Sequence, residues 1–258
     1  MIAEPIPLLN PRRQRGFTII EILLAVTLMS VLILGLLMMF SQVQRASHLG
    51  LAQVDLLETG RVTMQFVNEE FERISASDRT GVINLIATNS STGPLTFSRA
   101  PNPGVRCRLQ NLFFISRQDD QWVGTGYLID PPQKFVGSLY RYTNSAPISE
   151  SPVWLYDKFR NASFTNFHRL ADRVVSFQVT PYDRNGVISS NLTTSDEFVF
   201  QGSELPASLD LELAVLDQKT YQKYLLLTNN YLDVIRFLPQ QTDHVNLFRR
   251  RIPVRSGL

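Results

Sequence analysis

The sequence predicts an α+β fold in which a long N-terminal transmembrane α-helix continues into a globular domain of antiparallel β-sheet packed on the helix. Three observations carry that prediction. Ile22 to Phe40 holds no charged residue, Gln42 to Ser77 keeps the spacing of a half-buried helix, and beyond residue 80 the pattern shifts to short apolar runs bounded by turn residues.

The first stretch is 19 residues long. As a helix rising ~1.5 Å per residue it reaches ~28 Å, close to the ~30 Å of bilayer hydrocarbon. Only Thr27 and Ser30 are polar in it, so it lacks the polar face of a helix lying on a membrane surface. Arg12, Arg13 and Arg15 precede it and favour the cytoplasmic side, which predicts a single pass with everything after Phe40 on the far side. A secretory signal would end in small residues at its cleavage site. Here Ser41-Gln42-Val43-Gln44-Arg45 follows, and cleavage behind the span is not expected. Glu21 is the exception to the apolar pattern, since a carboxylate in hydrocarbon costs ~2.5 kcal/mol or more on insertion scales. It is either an interfacial residue of a plain anchor or an acid that has a partner.

Past the membrane, Val43, Val54, Leu57, Met64, Val67, Phe71 and Ile74 form the expected buried stripe of a continuing helix. Glu58, Arg61, Glu69, Glu70 and Glu72 are expected to face water. Gly50 and Gly60 each weaken a helix interior by ~1 kcal/mol relative to Ala and are candidate bends. Ser75 to Asp78 ends the helix. Strands are expected at Val82 to Ala87, Leu95 to Ser98, Leu112 to Arg117, Trp122 to Ile129, Ser138 to Thr143, Arg173 to Tyr182 and Leu209 to Leu216. Gln118-Asp119-Asp120-Gln121 and Asp183-Arg184-Asn185-Gly186 read as turns. Thr143 to Asn166 and Ser189 to Pro206, rich in Ser, Asn, Pro and Thr, read as surface loops, and Asp217 to Tyr231 as helical.

Of 258 residues, 218 lie beyond Phe40, enough for one substantial domain. The chain is 44% hydrophobic and 19% charged, with 16 Phe and 8 Tyr, a composition that argues against disorder. The net charge of +2 resides in the first 16 residues, and the rest balances at 22 basic and 22 acidic residues, so no field for recruiting nucleic acid is indicated. Cys107 is the only cysteine and is expected to pack as a small apolar residue.

Gly16-Phe17-Thr18-Ile19-Ile20-Glu21, preceded by the arginines and followed by the apolar run, resembles the N-terminal signature of type IV prepilins and of the pseudopilins of type II secretion. In that family a membrane peptidase cuts after the glycine and methylates the new N-terminal residue. The resemblance therefore implies cleavage after Gly16, N-methylation of Phe17, and an assembly role for Glu21, which stands at the family's glutamate. In an apolar helix bundle that carboxylate would neutralise the N-terminal ammonium of a neighbouring subunit. The implied division is a leader at 1–16, a membrane and filament-core helix at 17–40, and a periplasmic or extracellular domain at 41–258, the family's lollipop. Major pilins often carry a proline where this chain has Met38, so the resemblance leans to a minor pilin or pseudopilin.

A second, looser resemblance lies in Leu170 to Val179, Tyr182-Asp183, Gly186 and Glu204 to Leu213. These segments are similar to adjacent core strands in the J-type pseudopilins and W-type minor pilins, which implies a large minor subunit that initiates or tips a filament. Implied partners are the prepilin peptidase, other pilins or pseudopilins, the inner-membrane assembly platform and membrane lipid, at the bacterial inner membrane. No cofactor is expected. A rival reading keeps the anchor and makes the exported domain an adhesive or ligand-binding module at a filament tip, with the two loop stretches as contacts.

Enzyme readings find little support. His48, His168 and His244 are scattered outside metal-ligand spacing. Gly124-Thr125-Gly126 lies inside a strand pattern rather than opening a helix, and no Gly-x-Ser-x-Gly elbow occurs. Asp119-Asp120 reads as a solvated hairpin tip before a calcium site, and Arg249 to Arg251 as solvated edge charge.

Overall fold

A computed structural model describes residues 17–90, 95–98, 103–131, 134–189, 197–228 and 230–254. The chain divides into two units, Met1–Leu51 and Ala52–Leu258. Helix α1 (Ile19–Phe71) runs through the first and opens the second.

In the second unit Leu56, Met64, Val67 and Phe71 of α1 are buried. Val54 and Leu57, expected in this stripe, are exposed; Leu56 turns in instead. Val43, in the first unit, is exposed as well. The helix also stops at Phe71, short of Ser77. Beyond it Ile74 bridges Ser116, and the Ser75 amide donates to the Ile115 carbonyl at 3.2 Å, so the chain joins the sheet rather than coiling on.

The sheet strands are β1 (Ile83–Asn89), β2 (Leu95–Ser98), β3 (Pro103–Cys107), β4 (Gln110–Gln118), β5 (Gln121–Asp130), β6 (Gly137–Pro147), β7 (His168–Tyr182), β8 (Phe198–Gln201), β9 (Ser208–Leu216) and β10 (Val245–Pro253). β2 and β3 form a separate pair, and the other eight make an antiparallel sheet in the order β10-β9-β7-β6-β5-β4-β1-β8. The expected strands all fall on strands. β3, β8 and β10 were not expected: β8 lies inside a stretch that reads as a loop, and three consecutive arginines mask the alternation of β10. β7 pairs with β6 through its first half and with β9 through its second. Leu109, just before β4, bridges Phe177 of β7 in parallel, and the Val179 amide donates to the buried Gln110 side chain at 2.8 Å.

The sheet is covered on both faces. Leu85, Leu112, Phe114, Tyr127, Leu139 and Leu213 share one core with α1. On the other face α2 (Trp154–Arg160) buries Leu155 and Phe159 against Phe113, Trp122 and Tyr142. Beside it, α3 (Gln218–Leu227) and α4 (Tyr231–Phe237) bury Tyr224 and Val234 against Val175, Ala214 and Leu216. Burial on both faces is why β4 reads as continuously apolar rather than alternating.

The stretch Thr143 to Asn166 is thus not a loop. It holds the end of β6, α2 and a short 3-10 turn. A seven-residue helix is unstable alone, and packing holds it. Gly126 makes the room, since a Cβ there would lie 2.3 Å from the Phe159 ring. Gly60 acts likewise: α1 runs through it, and a Cβ would lie 2.2 Å from the ring of Phe248 on β10. Its role is close approach, not a break in the helix. Both expected turns are present. Asp119 takes φ 50° between β4 and β5, and Gly186 takes φ 74° where the Asn185 and Val187 amides donate to Asp183 Oδ1 at 2.9 and 2.8 Å.

Candidate functional site

The candidate site is the N-terminal end and apolar surface of α1. Gly16 and the three leader arginines lie outside the described residues; Phe17 and Glu21 lie within them. The Thr18 amide donates to Glu21 Oε2 at 2.9 Å, and the Glu21 amide donates to Thr18 Oγ1 at 3.4 Å. This is a capping box, Thr at the cap and Glu three residues on: it gives the Thr18 amide its acceptor and adds a second acceptor for the Glu21 amide, which also donates to the Thr18 carbonyl at 3.1 Å. It also places the carboxylate at the positive end of the helix dipole. Thr18 is the residue that sequence reasoning missed, although its Thr-x-x-Glu spacing was readable.

Behind the cap, every large apolar side chain from Ile19 to Phe40 is exposed, and the most apolar window of the helix has none of its surface buried. The hydroxyls in and just past this stretch are satisfied by the helix itself: Thr27, Ser30 and Ser41 donate to the carbonyls of Leu24, Val26 and Met38 at 2.9, 2.8 and 2.8 Å. The surface is therefore apolar in effect as well as in composition. It suits lipid or other apolar helices.

A second polar feature fixes the far end of the helix. Glu70, expected to face water, points into the domain, where its carboxylate accepts from Arg141 Nε at 3.0 and 3.1 Å, from Arg141 Nη2 and from the buried Tyr127 hydroxyl. Arg141 also lies over the Phe66 ring, 5.2 Å from its centroid. Burial, and then the Glu70 charge, push the Tyr127 hydroxyl well above its ordinary value. No sequence signal marks this triad, because its members are 57 and 71 residues apart.

The remaining candidates are packed, paired or exposed to solvent. Cys107 is buried, and burial followed by the Glu212 charge pushes its thiol up to about 12, against a weaker opposing bond from Ser176. His48 and His168 are exposed, while His244 Nδ1 meets Asp217 Oδ2 at 2.7 Å, beside the Asp217 cap of α3. Among the described residues no three His, Cys, Asp or Glu side chains cluster as a metal site. Gly124 and Gly126 make room for Phe113, Leu155 and Phe159. The arginines of β10 are not simply solvated. Arg249 and Arg251 both bind Asp210 on β9, at 3.1 and 2.8 Å, and Arg251 stacks over Tyr182 at 4.2 Å.

The family model described as "Prokaryotic N-terminal methylation motif" matches residues 11–37. No curated protein and no solved structure matches the chain. The match supports the type IV pilin and pseudopilin family, a structural subunit rather than an enzyme, processing by a peptidase and assembly with other pilins. With the apolar helix it fits a single-pass inner-membrane anchor.

Proposed function

We propose that this chain is a minor pilin or pseudopilin, a structural subunit of a type IV pilus-like or type II secretion filament. It is cleaved after Gly16, methylated on Phe17 and assembled through residues 17–40, with residues 41–258 exported and placed at the initiating tip. The observation that carries the reading is an apolar N-terminal stretch of helix that is wholly unburied, introduced by the methylation motif. Such a helix is stable in lipid and again in a bundle of like helices, so it serves first as anchor and then as filament core. The acid at Glu21 is tolerated there when a cation faces it, and the N-terminal amine of a neighbour is that cation. Leaving one partner of a buried pair alone costs ~3 to 5 kcal/mol, which sets the subunit register. Pairing of β7 with β9, the two segments of the second resemblance, supports the large J-type or W-type minor class.

Two substitutions test the role of the acid. Glu21→Gln keeps an acceptor for the Thr18 amide and so keeps the cap, but removes the charge; Glu21→Ala removes both. Both should insert in the membrane and be cleaved, and both should be depleted from filaments recovered by pull-down. Normal incorporation of Glu21→Gln would reduce the acid to a cap. Mass spectrometry finding an intact Met1, or a cut beyond Phe40, would overturn the whole reading.

The rival, an adhesive or ligand-binding module at a filament tip, rests on an open cleft lined by Asp183, Arg184, Phe200, Leu205, Pro206 and Val254. Saturable binding of a defined ligand that is lost on Phe200→Ala would favour it.

A further inference from the structure

The elbow between α3 and α4 carries an unpartnered surface of mixed character. Lys219, Lys223 and Leu226 lie at successive helical turns on the exposed side of α3, and Tyr231 and Leu232 open α4 immediately after. Leu226 is 83% exposed, Leu232 61% and Tyr231 60%. Single exposed apolar residues are ordinary, but three within seven positions at the same elbow are not. Tyr231 is held by the ring of Phe135, centroids 5.5 Å apart, so the elbow is supported from beneath by the core under α3 and α4. Arg236 stands one turn beyond Leu232, and among the described residues none of these three cations pairs with a carboxylate. Against them stands Asp233, so the elbow is net positive.

We infer that this elbow docks on an anionic lipid surface, with Leu226, Tyr231 and Leu232 entering the interface and Lys219, Lys223 and Arg236 meeting headgroup phosphates. The chemistry is that of an interfacial segment: aliphatic and aromatic side chains with long basic chains that keep their charge in the headgroup layer. Two features choose lipid over a second copy. The elbow is cationic, so two copies meeting there would repel, whereas anionic headgroups complement it. The same chain carries a span that holds the domain near a bilayer, which raises the effective concentration of that surface. The inference rests on the anchor reading and adds to it a holding position for the subunit before assembly.

The test uses the full chain in nanodiscs loaded with one copy each, made either of phosphatidylcholine alone or of equal parts phosphatidylcholine and phosphatidylglycerol. An environment-sensitive fluorophore is attached through Leu226→Cys; Cys107 is buried and its thiol raised, so labelling is selective. A second label through Asp119→Cys, at the β4–β5 turn, serves as the reference. The expected result is blue-shifted, lipid-shielded emission at 226 but not at 119, in the phosphatidylglycerol discs only. Lys219→Glu and Lys223→Glu should each weaken docking by about fivefold or more. The inference is overturned if 226 stays in water in both discs, if shielding is equal without anionic lipid, or if it needs two copies per disc. A chain that fails to co-purify with discs overturns the anchor and this inference together, whereas one that inserts with 226 in water overturns this inference alone.

Discussion

Glu70, Arg141 and Tyr127 tie α1 to the sheet, and the strength of that tie follows from the structure. Their side chains are largely withdrawn from water, 14% exposed for Glu70 and 22% for Arg141, so solvent screens the pair only partly. Glu70→Ala removes a bidentate partner from Arg141 and strands the hydroxyl of Tyr127, which is fully buried. Breaking one partner of a buried pair costs ~3 to 5 kcal/mol, and the residual exposure of Arg141 places this site near ~3 kcal/mol. For a domain of this size each kcal/mol shifts Tm by about 2–4 °C, so a fall of ~6 to 12 °C is expected. Trp122 and Trp154 are the only tryptophans and both lie in the sheet domain, so tryptophan emission during unfolding of the intact chain in detergent reports this unit alone. Arg141→Ala and the double variant complete the cycle, with a coupling of ~2 kcal/mol expected from charge-assisted bonds. A coupling below ~0.5 kcal/mol would refute the argument, because contacts no better than surface pairs would then hold the helix.

Other perturbations test other parts of the molecule. Cys107 should resist thiol reagents until the domain unfolds. Its folded value lies above its ordinary 9.0, so its contribution is whole below pH 9.0 and is lost as pH rises toward about 12; denaturant midpoints of Cys107→Ala should decline less over that range. Burial alone would raise Asp210, but Arg251 and then Arg249 outweigh it and hold it low. Its contribution is therefore present above pH 3.8 and lost as pH falls below, and Asp210→Asn should flatten that acid limb. Gly126→Ala should destabilise by ~1 to 3 kcal/mol through overpacking, with partial recovery in the Phe159→Leu background. Thr18→Val should cost the helix start ~0.5 to 2 kcal/mol, read as faster amide exchange at Glu21.

Much of the fold was legible because its signals are local. The apolar run, the change of period after residue 80 and the turns at Asp119 and Gly186 each depend on a few neighbouring residues. The elements that were missed depend on partners far away in the chain. α2 sits in a Ser- and Asn-rich stretch and exists because Gly126 admits Phe159. β10 looks like a basic tail and is a strand because β9 offers it a register from Ser208 to Leu216, with Asp210 opposite Arg251. At the site, Phe17 and Glu21 were readable as residues, and Thr18 was missed only because its spacing was not used.

By itself the sequence determined a charge-free helix long and apolar enough to cross a bilayer, with its basic flank and its embedded acid, since that fitness for lipid depends on composition and order alone. Tertiary structure decided which face of the helix beyond Ala52 turns inward. Helical periodicity marks a stripe but not its rotation, so Leu56 rather than Leu57 is buried and Glu70 leaves the water it was expected to face. That rotation is set by where Phe248 meets Gly60 and Arg141 meets Glu70, contacts that exist only once the sheet has formed.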